Sequence, residues 1–360
     1  MPFTLAAAVA ALLLTTVLAG LLRALALRWR HICAGLLDRP AGHKAHARPT
    51  PHLGGVAVAV GTLGAASSGP WTGQTLLGRE VGTLLMAGAA VAVLGLVDDL
   101  RPLGPRVRLL VETGAAGTVA YGSGLGMATG ALAVLWIVFV TNAFNLLDNS
   151  DGATGTVAAI TALGLAICAA AEGRTGLALL LCVLAAALIG FLWHNWHPAR
   201  IFLGDCGSLF TGFVLSSAAV LLHTGHTPAR TTGALLAFTL VVTADTALVL
   251  VSRHRQRHPL LLGGTDHIAH RLRMLGLTVP GTAVVLGVIA FVGTLIGLLI
   301  HHAWLPPSAV LPVAGAAVLA CGGMLKVPVY GPGRVGRPRR RGHRTADSAR
   351  AARAVDVARG

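Results

Sequence analysis

The chain is 360 residues long, 54% hydrophobic and only 11% charged, with a mean hydropathy of +0.74. A soluble domain carries about 25% charge, so the composition argues against a soluble globular protein. The formal charge of +15 comes without the aromatic interleaving or motifs of a nucleic-acid binder.

A spanning helix needs roughly 20 apolar residues, and eleven stretches approach that length: 3–27, 53–69, 81–97, 108–122, 129–146, 154–171, 176–193, 207–223, 231–251, 281–300 and 308–325. The first is too long for a signal-peptide core, and its basic residues follow rather than precede it, which predicts a retained helix. Several stretches are rich in Gly and Ala, which permits close helix approach in a bilayer. The expected fold is therefore all-α: one polytopic integral membrane domain over 1–325 with about 11 transmembrane helices. A basic, disordered tail follows over 326–360, with Arg339, Arg340 and Arg341 in a row. No internal repeat is visible. Cys33, Cys168, Cys182, Cys206 and Cys321 show no CxxC pair and no His-Cys spacing, which speaks against a disulfide framework or a structural zinc site. Cys168, Cys182 and Cys321 read as packing residues.

The polar breaks between these stretches fall into two alternating groups. One group, 70–80, 123–128, 172–175, 224–230 and 301–307, holds only Arg79, Arg174 and Arg230 of the 28 Lys and Arg residues. The other 25 lie in or beside the second group, 28–52, 98–107, 147–153, 194–206, 252–280 and the tail. The positive-inside rule makes the second group cytoplasmic, with the N-terminus outside and the C-terminus inside. The tail would touch anionic lipid.

The chain has thirteen carboxylates, ten of them aspartates. Seven aspartates, Asp38, Asp98, Asp99, Asp148, Asp151, Asp205 and Asp266, fall in cytoplasmic breaks. Each motif alone is weak. Asp98-Asp99 reads equally as a solvated helix end, Asp148-x-x-Asp151-Gly152 as a turn, Gly204 and Gly207 as loop closers, and His267 and His270 as interfacial residues. Together on one face they suit a hard cation bound by carboxylate and Asn oxygens, with Lys, Arg and His for phosphates. Adjacent like charges such as Asp98-Asp99 tend to raise one pKa and can supply a base. Phosphoryl transfer at the inner membrane face is the indicated chemistry. Asp245 lies inside an apolar run, which makes it a functional candidate or a cap for a neighbouring loop. Arg108 and Glu112, four residues apart, are spaced for a structural ion pair.

These residues resemble the polyprenyl-phosphate N-acetylhexosamine-1-phosphate transferases, which include the GlcNAc-1-phosphate transferases and phospho-MurNAc-pentapeptide transferase. The similarity covers about 36–280 and leans to the GlcNAc branch. It is carried by Lys44-x-His46…Pro51-x-Leu53-Gly54-Gly55, Gly95-Leu96-Val97-Asp98-Asp99, Asn142-Ala143-Phe144-Asn145-Leu146-Leu147-Asp148-x-x-Asp151-Gly152 and Phe202-Leu203-Gly204-Asp205-x-Gly207-Ser208-Leu209. The resemblance implies attack of a polyprenyl phosphate on the β-phosphate of a UDP-N-acetylhexosamine, with UMP released and Mg²⁺ required (Mn²⁺ as a substitute). It implies a bacterial inner-membrane enzyme whose partners are the lipid, the nucleotide sugar and the bilayer, with no nucleic acid, and it is compatible with a homodimer.

Residue by residue, it implies Asp205 and Asn145 as metal ligands, with Asp148 near the metal. It assigns Asp151 and Phe202 to uracil, and Asp98, beside Asp99, to the lipid phosphate. Lys44, His46 and Arg108 would bind phosphates and other substrate groups, and His267 and His270 the diphosphate or sugar. The chain departs from the family pattern at Ala269, where the GlcNAc branch has His, at Asn149 for Gly, and at His52 for Arg. Alternatives are a family member acting as a scaffold, a CDP-alcohol phosphatidyltransferase, whose signature is not continued after Gly152, and a transporter, which would place acids near the midplane.

Overall fold

In this computed structural model the described residues are 2–29, 37–38, 50–68, 78–257, 259 and 264–329. Met1–Val327 form one compact unit. Beyond it only 328 and 329 are described, so the expected tail over 326–360 lies almost wholly outside the described residues.

The chain runs α1 (Pro2–Arg28), a two-residue antiparallel ladder of β1 (Leu37–Asp38) with β2 (Thr50–Pro51), α2 (Gly54–Ala66), α3 (Arg79–Leu100), α4 (Pro105–Gly122), α5 (Met127–Leu147), α6 (Ala153–Ala171) and α7 (Thr175–Asn195). It continues through α8 (Gly204–Leu222), α9 (Pro228–Phe238), α10 (Leu240–Gln256), α11 (Ile268–Met274), α12 (Val279–His301) and α13 (Val310–Met324). The chain is thus an all-α polytopic membrane protein. Backbone polar groups cannot be left unpaired in lipid, so helices that satisfy their own hydrogen bonds are the natural spanning element for these apolar runs.

Every expected span carries a helix, but not every helix is a full span. Among the described residues eight helices are long and apolar enough to cross a bilayer, or nine if α9 and α10 form one bent span. At 13 residues α2 is short, and α4 carries Arg106, Arg108 and Glu112 in its first half. The stretch 231–251, expected as one span, is broken by 75° between α9 and α10. No proline causes the break. At the break Thr239 Oγ1 and Thr239 N both donate to the Leu235 carbonyl, at 2.7 and 3.1 Å.

The centre of the bundle is α8. All of its residues but Asp205 are buried, and it packs against α2, α3, α5 and α6. A helix apolar on every side belongs in the middle of a bundle. Close approach there depends on missing side chains. A Cβ on Gly55 would sit 2.1 Å from the Gly207 nitrogen, and one on Gly95 2.4 Å from the Asp205 carbonyl oxygen. Small residues let backbones meet in this way. The motif glycines therefore bring three helix ends to one point.

Candidate active site

That point is the N-terminus of α8. The first turn of a helix leaves backbone N–H groups without partners inside the helix. Here the Asp99 carboxylate, from the last turn of α3, accepts from Asp205 N at 2.9 Å and from Cys206 N at 3.0 Å. A negative charge at the positive end of a helix dipole adds to this bond pair. Likewise Gly54 N and Gly55 N at the start of α2 donate to the carbonyls of Phe202 and Leu203 at 2.9 and 2.8 Å, and Phe202 N donates to Pro51 O at 2.8 Å. Gly204 takes a φ of +71°, which a residue with a side chain rarely adopts. Segments far apart in sequence, 50–55, 98–99 and 202–208, are thus fastened through their backbones.

Arg108, one turn into α4, ties the carboxylates together. Its guanidinium donates to Asp98 Oδ2 at 3.0 Å, to Asn142 Oδ1 at 3.1 Å and to Asn145 Oδ1 at 3.3 Å, and it lies 3.8 Å from Asp205 Oδ2. The spacing-based expectation of an Arg108–Glu112 pair is corrected: Glu112 instead accepts a hydrogen bond from Asn142 Nδ2. The stronger competitor is the acid cluster itself, which offers Arg108 more than one carboxylate. Asp98 is buried and also accepts from Leu103 N at 2.5 Å. Asp98 and Asp99, adjacent on one helix, therefore point to different partners.

Asn145 Nδ2 donates to Asp205 Oδ1 at 2.6 Å and to Ser208 Oγ at 2.9 Å. Asp205 keeps its second oxygen beyond hydrogen-bond distance of Arg108, with about a third of its side chain exposed. Asp148 caps the end of α5. Burial pushes its carboxyl up to about 7, and the charges of Asp205 and Asp99 add to the rise. Asp151 is buried and accepts from His197 Nδ1 at 2.7 Å and Ala199 N at 3.1 Å. Asn195 pins the same turn, accepting from Gly152 N and donating to Ile201 O, both at 2.9 Å.

These groups surround one cavity of about 460 Å³, walled by Asp98, Asp99, Asp148, Asp151 and Asp205 together with Asn145, Phe202 and His52. The Phe202 and His52 rings lie 5.3 Å apart, tilted by 46°, and both line the cavity. Five carboxylates converge there, with Arg108 bonded to Asp98 and His197 to Asp151. An excess of hard oxygen donors around a roomy cavity fits Mg²⁺, which takes one or two carboxylates and substrate phosphates. Asp205, Asp148 and Asn145 all line the cavity and could hold it, and Asn145 is already fixed against Asp205.

Other expected residues lie elsewhere. Lys44 and His46 are outside the described residues. His267 and His270 do not line the cavity. His267 is buried with Nδ1 2.8 Å from Asp245 Oδ2, and Asp245 Oδ1 accepts from Ile268 N at 2.7 Å. Asp245 thus caps the loop before α11, the second of its two expected roles. Burial, helped by the charges of His267 and Arg273, pushes His270 down to about 4. Asp266 is wholly buried against Arg253, accepting at 2.9 and 3.1 Å. Burial alone would raise its pKa, but Arg253 holds it below the usual carboxylate range. Asp38 falls in β1. Sequence reasoning assigned no role to Asn142, Ser208, Asn195 or His197. Asn142 and Asn145, three apart, share a helix face, a signal that was there to be used; His197 offered none.

Fold and site define the class, a polytopic membrane protein with a carboxylate-lined cavity at one end of its helices. Residues 81–223 match glycosyl transferase family 4. A Streptomyces coelicolor protein named as a candidate glycosyltransferase is 50% identical over 331 residues, covering 92% of this chain and 78% of the relative. A Bacillus subtilis protein named a probable undecaprenyl-phosphate N-acetylglucosaminyl 1-phosphate transferase is 30% identical, covering 75% of this chain and 79% of its own length. A decaprenyl-phosphate N-acetylglucosaminephosphotransferase of Mycolicibacterium smegmatis is 31% identical over 74% of each chain. The chain belongs to glycosyl transferase family 4.

Proposed function

We propose that the chain transfers an N-acetylhexosamine-1-phosphate, with GlcNAc-1-phosphate as first choice, from its UDP-sugar to a polyprenyl phosphate, releasing UMP and starting a lipid-linked envelope glycan. The observation that carries this is the convergence of five aspartates on one cavity at one end of a membrane bundle. The names of the relatives support the acceptor and the sugar. The distribution of Lys and Arg supports a cytoplasmic placement of that end, where both a lipid headgroup and a cytosolic nucleotide can meet it.

In this reading Asp205, held by Asn145, and Asp148 would hold Mg²⁺, whose chemistry when bound would be to offset negative charge on the diphosphate. Arg108, fixed by Asp98, offers its remaining donors to a phosphate oxygen. Phe202 and His52 present ring faces to the uracil, with Asp151 beside them. Asp99 keeps the start of α8, and so Asp205, in place. Its two backbone bonds favour that role over proton abstraction, and Asp98, ion-paired in this structure, orients the lipid phosphate through Arg108.

The test is UMP release by purified protein given polyprenyl phosphate, Mg²⁺ and a panel of UDP-sugars. UMP with a UDP-N-acetylhexosamine, lost in Asp205→Asn at unchanged melting temperature, is expected. No UMP with any of them, using acceptor that a related transferase accepts, overturns the reading.

A further inference from the structure

The opposite end of the bundle holds a second cluster of metal-ligating side chains. α8 is 19 residues long, which at 1.5 Å per residue sets its two ends about 28 Å apart. Asp205 is at one end and His223 caps the other. Around His223 lie His226, in the turn before α9, His301, the last residue of α12, and Glu172, the cap of α6. One nitrogen from each of the three imidazoles falls within 4.8 Å of the others.

The ring orientations are those of ligands. His223 Nδ1 lies 2.8 Å from the Ala219 carbonyl. A carbonyl can only accept, so Nδ1 carries the proton and Nε2 is left with a lone pair that can accept or bind a metal. Metal-bound imidazoles usually donate their other N–H to a carbonyl or carboxylate in this way. His223 Nε2 faces His301 Nδ1 at 3.4 Å, and Glu172 Oε1 lies 3.2 Å from His226 Nε2 and 3.3 Å from His301 Nε2. Tetrahedral Zn²⁺ with bonds of about 2.0–2.1 Å sets its ligands roughly 3.3–3.4 Å apart, a spacing that the His223 Nε2–His301 Nδ1 pair has, while Glu172 reaches the other nitrogen of His301. His223 and His301 are buried, and His226 Nδ1 is buried without a hydrogen-bond partner. Packing several imidazoles together with a carboxylate in an apolar helix end is costly unless something satisfies their lone pairs.

We propose that His223, His226 and His301 bind a Zn²⁺-class transition-metal ion, with Glu172 balancing its charge and orienting the rings. Three imidazoles with a carboxylate suit zinc rather than Mg²⁺ or Ca²⁺, so this site and the carboxylate cavity select different ions. The ion ties the ends of α6, α8, α9 and α12, of which α6 and α9 each pack against both α8 and α12. Cys168 and His302 also offer ligand atoms within 4.8 Å of His301 and of each other, and are not needed for the triad.

The test uses untagged full-length protein in detergent, stripped with chelator and kept in excess Mg²⁺ to fill the carboxylate cavity. Zn²⁺ is titrated by equilibrium binding, and Co²⁺ is followed by its visible d–d absorption. One Zn²⁺ per chain, a tetrahedral Co²⁺ spectrum, and the same binding in Asp205→Asn are expected. His226→Ala and Glu172→Gln, both at partly exposed positions, should weaken Zn²⁺ binding by about tenfold or more while UMP release shows the variants folded. Should His226→Ala not fold, Glu172→Gln carries the same comparison, with Zn²⁺ raising the melting temperature of the wild type and not of the variant. No Zn²⁺ bound, or binding unchanged in the variants, overturns the proposal.

Discussion

Replacing Asp99 by Asn separates a capping role from a chemical one. In the wild type both carboxylate oxygens are used, one on Asp205 N and one on Cys206 N. The amide keeps one acceptor and turns an N–H₂ toward the second backbone N–H, donor against donor. One hydrogen bond to a charged group is lost, about 1.5–3 kcal/mol, together with a charge at the helix N-terminus, about 0.3–1 kcal/mol. The sum, about 2–4 kcal/mol, falls on the placement of α8 and therefore of Asp205. If all of it is lost from the reactive geometry, turnover drops roughly 30- to 1000-fold. The same loss should appear as a lower melting temperature in the ligand-free protein. The assay is initial UMP release at saturating Mg²⁺ beside a thermal melt. A variant that melts like the wild type yet has lost more than about 10⁴-fold in turnover would refute the capping account and return Asp99 to proton transfer.

Three further perturbations read other parts of the structure. Asp266→Asn removes the buried carboxylate charge that Arg253 binds and should cost about 3–5 kcal/mol, read as a large fall in melting temperature. Gly55→Ala puts a methyl 2.1 Å from the Gly207 nitrogen and should cost at least about 1–3 kcal/mol, whereas Gly64→Ala, whose nearest neighbour would be 4.0 Å away, should melt like the wild type. Asp148, raised from 3.8 to about 7, is protonated in the folded ligand-free protein where the unfolded chain is ionised. Its contribution is complete below 3.8 and is lost as pH rises through about 7, so stability should fall over that window. Melting temperature against pH checks this, and Asp148→Asn should flatten the slope.

The helices and the gathering of acids were legible in the sequence because both rest on local patterns. Long apolar runs predict spans wherever they occur, and scarce charges stand out against them. The break at Thr239 was not legible, since no proline or glycine stands at it in the sequence. Partner choice was not legible either. Arg108 and Glu112 are correctly spaced for each other, yet Asp98, Asn142 and Asn145 arrive from other helices and take both. Asp98 and Asp99 read as a pair, but successive helical residues point about 100° apart, so one meets Arg108 and the other the end of α8. The His cluster escaped a search for metal spacing because its members come from the ends of separate helices, Glu172 from α6, His223 from α8 and His301 from α12, with His226 in a turn.

The central claim is that phosphorus moves with the sugar. The most direct measurement supplies UDP-N-acetylglucosamine labelled with ³²P at the β-phosphate to the purified protein with polyprenyl phosphate and Mg²⁺. The account predicts that the label enters the lipid fraction and that unlabelled UMP is released in equal amount. Label retained in released UDP, with sugar alone on the lipid, would contradict it.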